Sequence, residues 1–493
     1  MRLASTIGIN MAGQVIRMAI AVAIVPLYTA WFGAARFGSY FFLLALMPYF
    51  QVHALATARQ VTTYTARVSR PADDGARAEG HAGLDASMVL GIGGSVVLTT
   101  ALLVLYPWLT ASIEGSPELA NEASRARPWA AAIVLLDIVI LIQLGQMEGR
   151  GRFAASNVSQ VIGQLAALLL PIVPLIYDGS LDRLMAGVAA GRLLQAGVAL
   201  RWAPFRDVLP SFANIGQKIA RIGREFSLMT VTAMCNAASK TLDRIIVGAS
   251  ASASALYFYA APAGAAARLS VVGLAMGTSL APRFAVADHA EGSALAGHAS
   301  DAALALTLPV CLFGILFADP ILTLWVDAGF ASQAGDFFRI ALAGVIGTTI
   351  AQLPAILLQS TGRARAITIQ HVIEIVPFAA ALYWASGLSL TAVALAVAAR
   401  NFIAGAIHMV LARMPVRSIV LAFTSILLLS VCILLAPEWD RLIGLWAIPA
   451  KLALVGIAPL AIAAASPGLA AFMRRLVTGL ASGQPAPHRG SQE

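Results

Sequence analysis

Gln146-Met147-Glu148-Gly149-Arg150-Gly151-Arg152 closes one long apolar run, and Gln359-Ser360-Thr361-Gly362-Arg363-Ala364-Arg365 closes another. Both fit the pattern Q-x-x-G-R-x-R. The runs they close, 128–147 and 337–357, have the length of about 20 residues that a helix needs to cross a bilayer. Read locally, each copy is a glycine at a helix end followed by arginines of the kind that collect on the cytoplasmic side of a membrane. Read together, two copies at corresponding places point to an internal duplication.

Composition agrees with a membrane chain. Of 493 residues, 59% are hydrophobic and 12% charged, and the mean hydropathy is +0.81. A soluble domain carries about 25% charged residues, so a cytosolic enzyme, a disordered chain and a disulfide scaffold are excluded. The net charge of +9 comes mostly from arginine, with lysine only at Lys218, Lys240 and Lys451. Cys235, Cys311 and Cys432 each sit in an apolar stretch and read as small core hydrophobes. His53, His371 and His408 have no metal-ligand spacing, and no Walker motif or dinucleotide loop appears, so no metal and no cofactor is expected. The apolar stretch after Arg2 reads as a retained first span rather than a signal peptide, because Arg17 interrupts it and no cleavage site follows.

A 20-residue window places spans at 7–28, 37–56, 87–106, 128–147, 157–177 and 184–203, then at 226–248, 255–281, 302–317, 337–357, 366–385 and 388–410, and finally at 418–435 and 442–464. The fold class is therefore an all-α polytopic membrane protein with about 14 transmembrane helices. Alternate loops on one side hold nineteen Lys and Arg residues, among them Arg59, Arg67, Arg77, Arg150, Arg152, Lys218, Arg221, Arg363 and Arg417. The opposite loops hold six: Arg36, Arg125, Arg127, Arg183, Arg339 and Arg441. This bias places both termini in the cytoplasm. The outer loops carry acids instead, including Glu114, Glu118, Glu122, Asp178, Asp182, Asp319, Asp336, Glu438 and Asp440.

The duplication extends beyond the opening motif. Asn10, Gln14 and Arg17 lie at i, i+4 and i+7 in the first span, and Asn236, Lys240 and Asp243 repeat that spacing in the seventh, each trio on one helix face. Gly38-Ser-Tyr40-Phe41 is echoed by Ala255-Leu-Tyr257-Phe258. Six spans per half give two lobes in parallel orientation, related by a pseudo-twofold along the membrane normal. The expected organisation is an N-lobe at 1–203, a cytoplasmic linker at 204–224, a C-lobe at 225–411, two further spans within 412–466, and a cytoplasmic tail at 467–493, disordered after Gly483.

Ten Asp, Glu, Lys and Arg residues fall within the spans away from their ends: Arg17, Asp137, Arg192, Lys240, Asp243, Arg244, Arg268, Glu374, Arg400 and Lys451. Each costs about 2.5–3.5 kcal/mol at a helix centre, so such groups face a bundle interior or a wet cavity. Three acids cannot pair with seven bases. The reading is a cavity with a net positive wall, suited to an anion and in particular to phosphate, which arginine grips with its forked donors. The structural alternative is mutual pairing, with Asp243 or Glu374 neutralising a nearby arginine and Lys451 reaching an interface. Asn10, Gln14, Arg17, Arg192, Asn236, Lys240, Arg268 and Arg400 are the candidate cavity residues. Asp137, Asp243 and Glu374 are the candidate ion- or proton-coupling acids. Pro26, Pro48 and Pro262 are the expected bends.

The chain resembles the MOP exporter superfamily, and most closely its polysaccharide-transporter branch. The residues that carry the resemblance are Asn10 through Pro26 and Tyr28, Gly33, Phe37-Gly38-Ser-Tyr40, Thr241-Leu-Asp243-Arg244-Ile-Ile-Val-Gly248, Ala255-Leu-Tyr257, Pro282-Arg283 and Leu357-Leu-Gln359-Ser-Thr-Gly362-Arg363. The resemblance implies a flippase, not an enzyme. It implies transport of a polyprenyl-diphosphate-linked oligosaccharide across the bacterial inner membrane by alternating access, for surface polysaccharide such as lipopolysaccharide O-antigen. Its implied partners are that lipid-linked oligosaccharide, membrane lipids and a polysaccharide polymerase, with no nucleic acid, and the chain itself a monomer. The alternatives are a cation-coupled multidrug exporter of the same superfamily, which usually has twelve spans and an acidic cavity, a lipid II flippase, which has fourteen spans and a basic cavity, and a membrane glycosyltransferase or ligase. The last normally needs a large outer loop with catalytic acids, and the longest outer loop here, about 107–127, is short.

Overall fold

The computed structural model describes residues 3–69, 74–111, 117–175, 179–204, 210–436 and 447–466, with side chains at the N-terminal end from residue 18. The side chains of Asn10, Gln14 and Arg17 lie outside the described residues, as do the tail from residue 467, part of the expected linker, and the loop charges Arg2, Arg70, Glu114, Asp178, Arg206, Glu438, Asp440 and Arg441.

The described residues form helices and connecting turns, with no strand among them. In chain order the helices are α1 Leu3–Phe50, α2 Val52–Ser69, α3 Asp74–Thr110, α4 Pro117–Arg125, α5 Arg127–Gly149, α6 Phe153–Leu169, α7 Ile172–Leu175, α8 Leu181–Ala199, α9 Ile215–Ser250, α10 Ala253–Ala267, α11 Val271–Phe284, α12 His289–Leu316, α13 Ala318–Trp325, α14 Ala328–Ser360, α15 Ala364–Ser386, α16 Leu390–Leu411, α17 Val416–Leu435 and α18 Ala447–Ala465.

Among the described residues, ten stretches are long and apolar enough to cross a membrane. Departures from the fourteen expected spans have identifiable reasons. The first two share α1, whose break is not at a proline but at Gly33, with φ 74 and ψ 165. The fifth is α6, cut short at 17 residues. The sixth and seventh are α8 and α9, whose hydropathy is lowered by Asp182, Arg183 and Arg192 and by Lys240, Asp243 and Arg244. The eighth is broken not at Pro262 but by a 3-10 turn at Arg268–Ser270, between α10 and α11. Residues 215–224 of the expected linker form the first turns of α9.

The helix ends explain the opening motif and correct its alignment. Helix α14 stops with Gly362 at φ 76, and the Arg363 N–H returns to the Leu358 carbonyl at 2.8 Å. Helix α5 stops the same way, but with Gly151 at φ 72 and the Arg152 N–H on the Met147 carbonyl at 2.8 Å. This is the glycine-dependent Schellman end. The structural match therefore sets Gly151-Arg152 against Gly362-Arg363, two residues from the register of the sequence motif. Gly149 has a different duty: a Cβ there would lie 2.7 Å from the Thr62 carbonyl oxygen of α2. Helix α16 ends alike, with Arg413 itself at φ 52 and the Met414 N–H on the Met409 carbonyl at 2.9 Å.

The chain sorts into two compact units. One comprises 15–260 and 371–386. Its core packs Val61 of α2, Met88 of α3 and Ile142 of α5, with Leu144 and Met147 of α5 against Ala196 and Ala199 of α8, and Ile222 of α9 against Tyr64 and Ala86. The other comprises 1–14, 261–370 and 387–493, where α14 packs closely on α16 and α12 packs on α14, α17 and α18. Thus α9 and the start of α10, assigned above to the C-terminal half, group with α1 from residue 15 onward and with α2 through α8. All three cysteines are free and buried.

Candidate functional site

In the first unit, three separate elements meet at Asp137. The carboxylate projects from the middle of α5 and is only 6% exposed. Its Oδ1 lies 3.2 Å from Nε of Arg192 on α8. Its Oδ2 accepts a hydrogen bond of 2.5 Å from Nε2 of Gln51, the non-helical residue between α1 and α2. Arg192 Nη1 also donates to Gln195 Oε1 at 3.2 Å, one turn along α8, and Gln195 lies in the space left by Gly163 of α6. Desolvating both charges is repaid only when the partners are close and well bonded. Here the acid is enclosed, while the guanidinium keeps 30% of its side-chain surface open. Asp137 and Arg192, expected in separate roles, are brought together.

A second cluster lies on α9 and α10. Asp243 is buried and accepts 2.6 Å from the Tyr259 hydroxyl. The trio on α9 straddles the edge of a packed face: Asp243 points inward, Asn236 is half-buried and donates to the Thr232 carbonyl at 3.1 Å, and Lys240 is exposed. Glu374, on α15, has a carboxylate oxygen 3.9 Å from His371 Nδ1 on the same helix.

The other two candidates belong to the second unit. Arg268 is exposed and sits on the 3-10 turn that interrupts the candidate span Ala253–Ala281. Arg400, on α16, is half-buried; its Nη1 donates to Asn401 Oδ1 at 3.3 Å. Lys451, which the pairing alternative had reaching an interface, is buried, with its ammonium 5.5 Å from the centre of the Phe317 ring.

Several polar groups escaped the sequence reading. Gln51 gave no signal beyond its place after Pro48. Asp301 fell one residue before the span expected from Ala302, yet it is fully buried on α12 and accepts from Arg417 Nη2 at 3.0 Å and Ser466 Oγ at 2.6 Å. Arg417 had been counted as a loop charge. Glu122 read as an outer-loop acid, but it is 2% exposed, bonded to Arg36 at 2.8 Å and to the backbone N–H of Leu181, the first residue of α8, at 2.9 Å. No group of three or more metal-ligating side chains occurs among the described residues.

The architecture is that of known transporters. Lipid II flippase MurJ in an inward closed conformation superposes with a TM-score of 0.66 at 12% identity, over 96% of this chain and 99% of that one. An inward-facing multidrug resistance MATE family transporter of the MOP superfamily gives 0.58 at 16% identity, over 80% and 93%. The chain is a multi-pass helical membrane protein that shares the fold of these transporters. In sequence it is similar to a Shigella flexneri protein named "Putative O-antigen transporter", with 24% identity over 255 residues. That match spans 51% of this chain and 61% of the relative's length. No protein-family model matches the chain.

Proposed function

We propose that the protein is a flippase that carries a polyprenyl-diphosphate-linked oligosaccharide across the bacterial inner membrane by alternating access, in the assembly of a surface polysaccharide. The observation that carries the proposal is the position of Arg268. A guanidinium exposed halfway along an apolar span costs about 2.5–3.5 kcal/mol against lipid, so its side of the helix faces water. A water-lined path with arginine in its wall suits a diphosphate, which takes bidentate charge-assisted hydrogen bonds. The half-open guanidinium of Arg192 and the exposed ammonium of Lys240 add to the same chemistry. Asn236 supplies an amide donor and acceptor of the kind that sugar hydroxyls need. The O-antigen transporter similarity supports this cargo over a cationic drug. The lobe division at 203 and 225, the cytoplasmic termini, and a polymerase as downstream partner belong to the same proposal.

The test is Arg268→Ala in cells that make the polysaccharide. The expected outcome is loss of surface polymer, with lipid-linked oligosaccharide retained on the cytoplasmic face and the protein at normal abundance. Unchanged polymer together with increased sensitivity to cationic drugs would favour the drug-exporter reading.

A further inference from the structure

The start of α9 is fixed to its neighbours by one carboxylate and a small apolar core. Asp85 of α3 takes the Ser211 backbone N–H at 2.9 Å on one oxygen and the Lys218 ammonium at 2.8 Å on the other. Ile222 packs with Tyr64 of α2 and Ala86 of α3, and Ile215, Ile219 and Leu84 close over that core. The opposite face of α9 runs through Gln217, Arg221, Arg224 and Leu228, at i, i+4, i+7 and i+11, and all four are exposed. Neither guanidinium has a hydrogen bond or ion pair among the described residues, although Glu225 lies one turn from Arg221. Phe212, next to the pinned Ser211, is 69% exposed. All of these residues lie within a single compact unit.

The height of this face decides what it meets. The seventh span is expected to start at residue 226, and the exposed aliphatic groups Leu228 and Val231 follow on the same stripe. At 1.5 Å per helical residue, Arg224 and Arg221 stand about 3 Å and about 8 Å short of that start. The headgroup layer adds about 5–8 Å on each side of the hydrocarbon. Phe212 is held at the same level, because Asp85 precedes the expected start of the third span, residue 87, by two residues. The stripe thus changes from aliphatic to guanidinium where acyl chains give way to phosphate. We propose that Arg221, Arg224 and Phe212 form a binding site for an anionic phospholipid headgroup in the leaflet on the side of the basic loops. Arg221 and Arg224, at i and i+3, are neighbours on the helix surface and can both donate to one phosphate. The phenyl ring of Phe212 enters the boundary between headgroup and acyl chain, as apolar side chains of interfacial segments do. A soluble polyanion could use the same arginines but would leave that ring in water, so the occupant is a lipid. The Asp85 clasp neutralises Lys218 and sets the segment at this depth. The site holds a resident lipid whatever the cargo is.

The test uses the full chain purified in micelles of a neutral detergent. Phosphatidylglycerol or phosphatidylcholine is titrated in, and bound lipid is counted by native mass spectrometry. Wild-type protein should take phosphatidylglycerol in preference. Each basic group at a headgroup surface gives about a fivefold gain for anionic lipid. Arg221→Gln combined with Arg224→Gln should therefore weaken phosphatidylglycerol binding by about tenfold or more and leave phosphatidylcholine binding unchanged. Phe212→Ser should weaken binding of both lipids. Arg77→Gln is the control: Arg77 is exposed on α3 but lies about 15 Å before the start of its span, beyond the headgroups, so neither lipid should be affected. Phosphatidylglycerol binding that is unchanged in the folded double variant overturns the site. An equal loss from Arg77→Gln also overturns it, because the effect is then one of overall charge. Displacement of phosphatidylglycerol by millimolar inorganic phosphate, or full binding by Phe212→Ser, overturns the assignment to a lipid.

Discussion

Removing Arg192 should damage the protein more than neutralising its partner. In the Arg192→Ala variant, Asp137 stays buried with only the Gln51 amide against it. Stripping one partner from a buried ion pair costs about 3–5 kcal/mol, and the partial exposure of Arg192 sets the expectation at the lower end, about 3 kcal/mol. In Asp137→Asn the guanidinium keeps Gln195 and its open face, so the cost is closer to about 1 kcal/mol. The double variant should be more stable than Arg192→Ala alone, since no uncompensated acid remains. The buried native cysteines provide the assay: a thiol-reactive dye reports their exposure as the purified protein is heated. Equal stability of the two single variants, or a less stable Asn variant, would refute the argument that the acid is enclosed and the base open.

Other outcomes can be checked by the same method. Glu122→Ala strips both Arg36 and the first N–H of α8 of a partner, and should cost about 2–3 kcal/mol, with Glu122→Gln losing clearly less. Arg413→Gly relieves a left-handed backbone residue and should raise stability by about 1 kcal/mol, while Gly362→Ala should lower it by about 1–2 kcal/mol. If Arg152 only marked the cytoplasmic side, Arg152→Ala would leave stability unchanged. The Arg152 hydrogen bond to the Trp202 carbonyl, 3.2 Å long, makes a loss of about 0.5–1.5 kcal/mol the expectation instead.

Much of the fold was legible because bilayer helices announce themselves by length, apolarity and the sidedness of arginine. Helix ends were legible to within two residues, since a Gly-Arg pair marks a Schellman end. In the first copy, two glycines compete for the position, and packing of Gly149 against α2 decides which one takes positive φ. Charge pairing was not legible. Asp137 and Arg192 are far apart in sequence and meet only because α5 packs on α8. Asp301, Arg417, Arg36 and Glu122 were lost for a related reason. A hydropathy window stops at a charge, whereas a helix continues through a charge whose partner neutralises it. Nor did hydropathy separate the inward Asp243 from the outward Lys240, because three residues along a helix can straddle the edge of one packed face.

The central claim is movement of a diphosphate-linked oligosaccharide between leaflets. It is tested most directly by reconstituting the purified chain into liposomes that contain a short polyprenyl-diphosphate oligosaccharide and measuring how much sugar a membrane-impermeant glycosidase can reach. The account predicts that wild-type protein makes the inner-leaflet pool accessible with time, and that Arg268→Ala protein in equal amount does not. An inner pool that stays protected with folded wild-type protein, or that becomes accessible equally fast with Arg268→Ala, would contradict it.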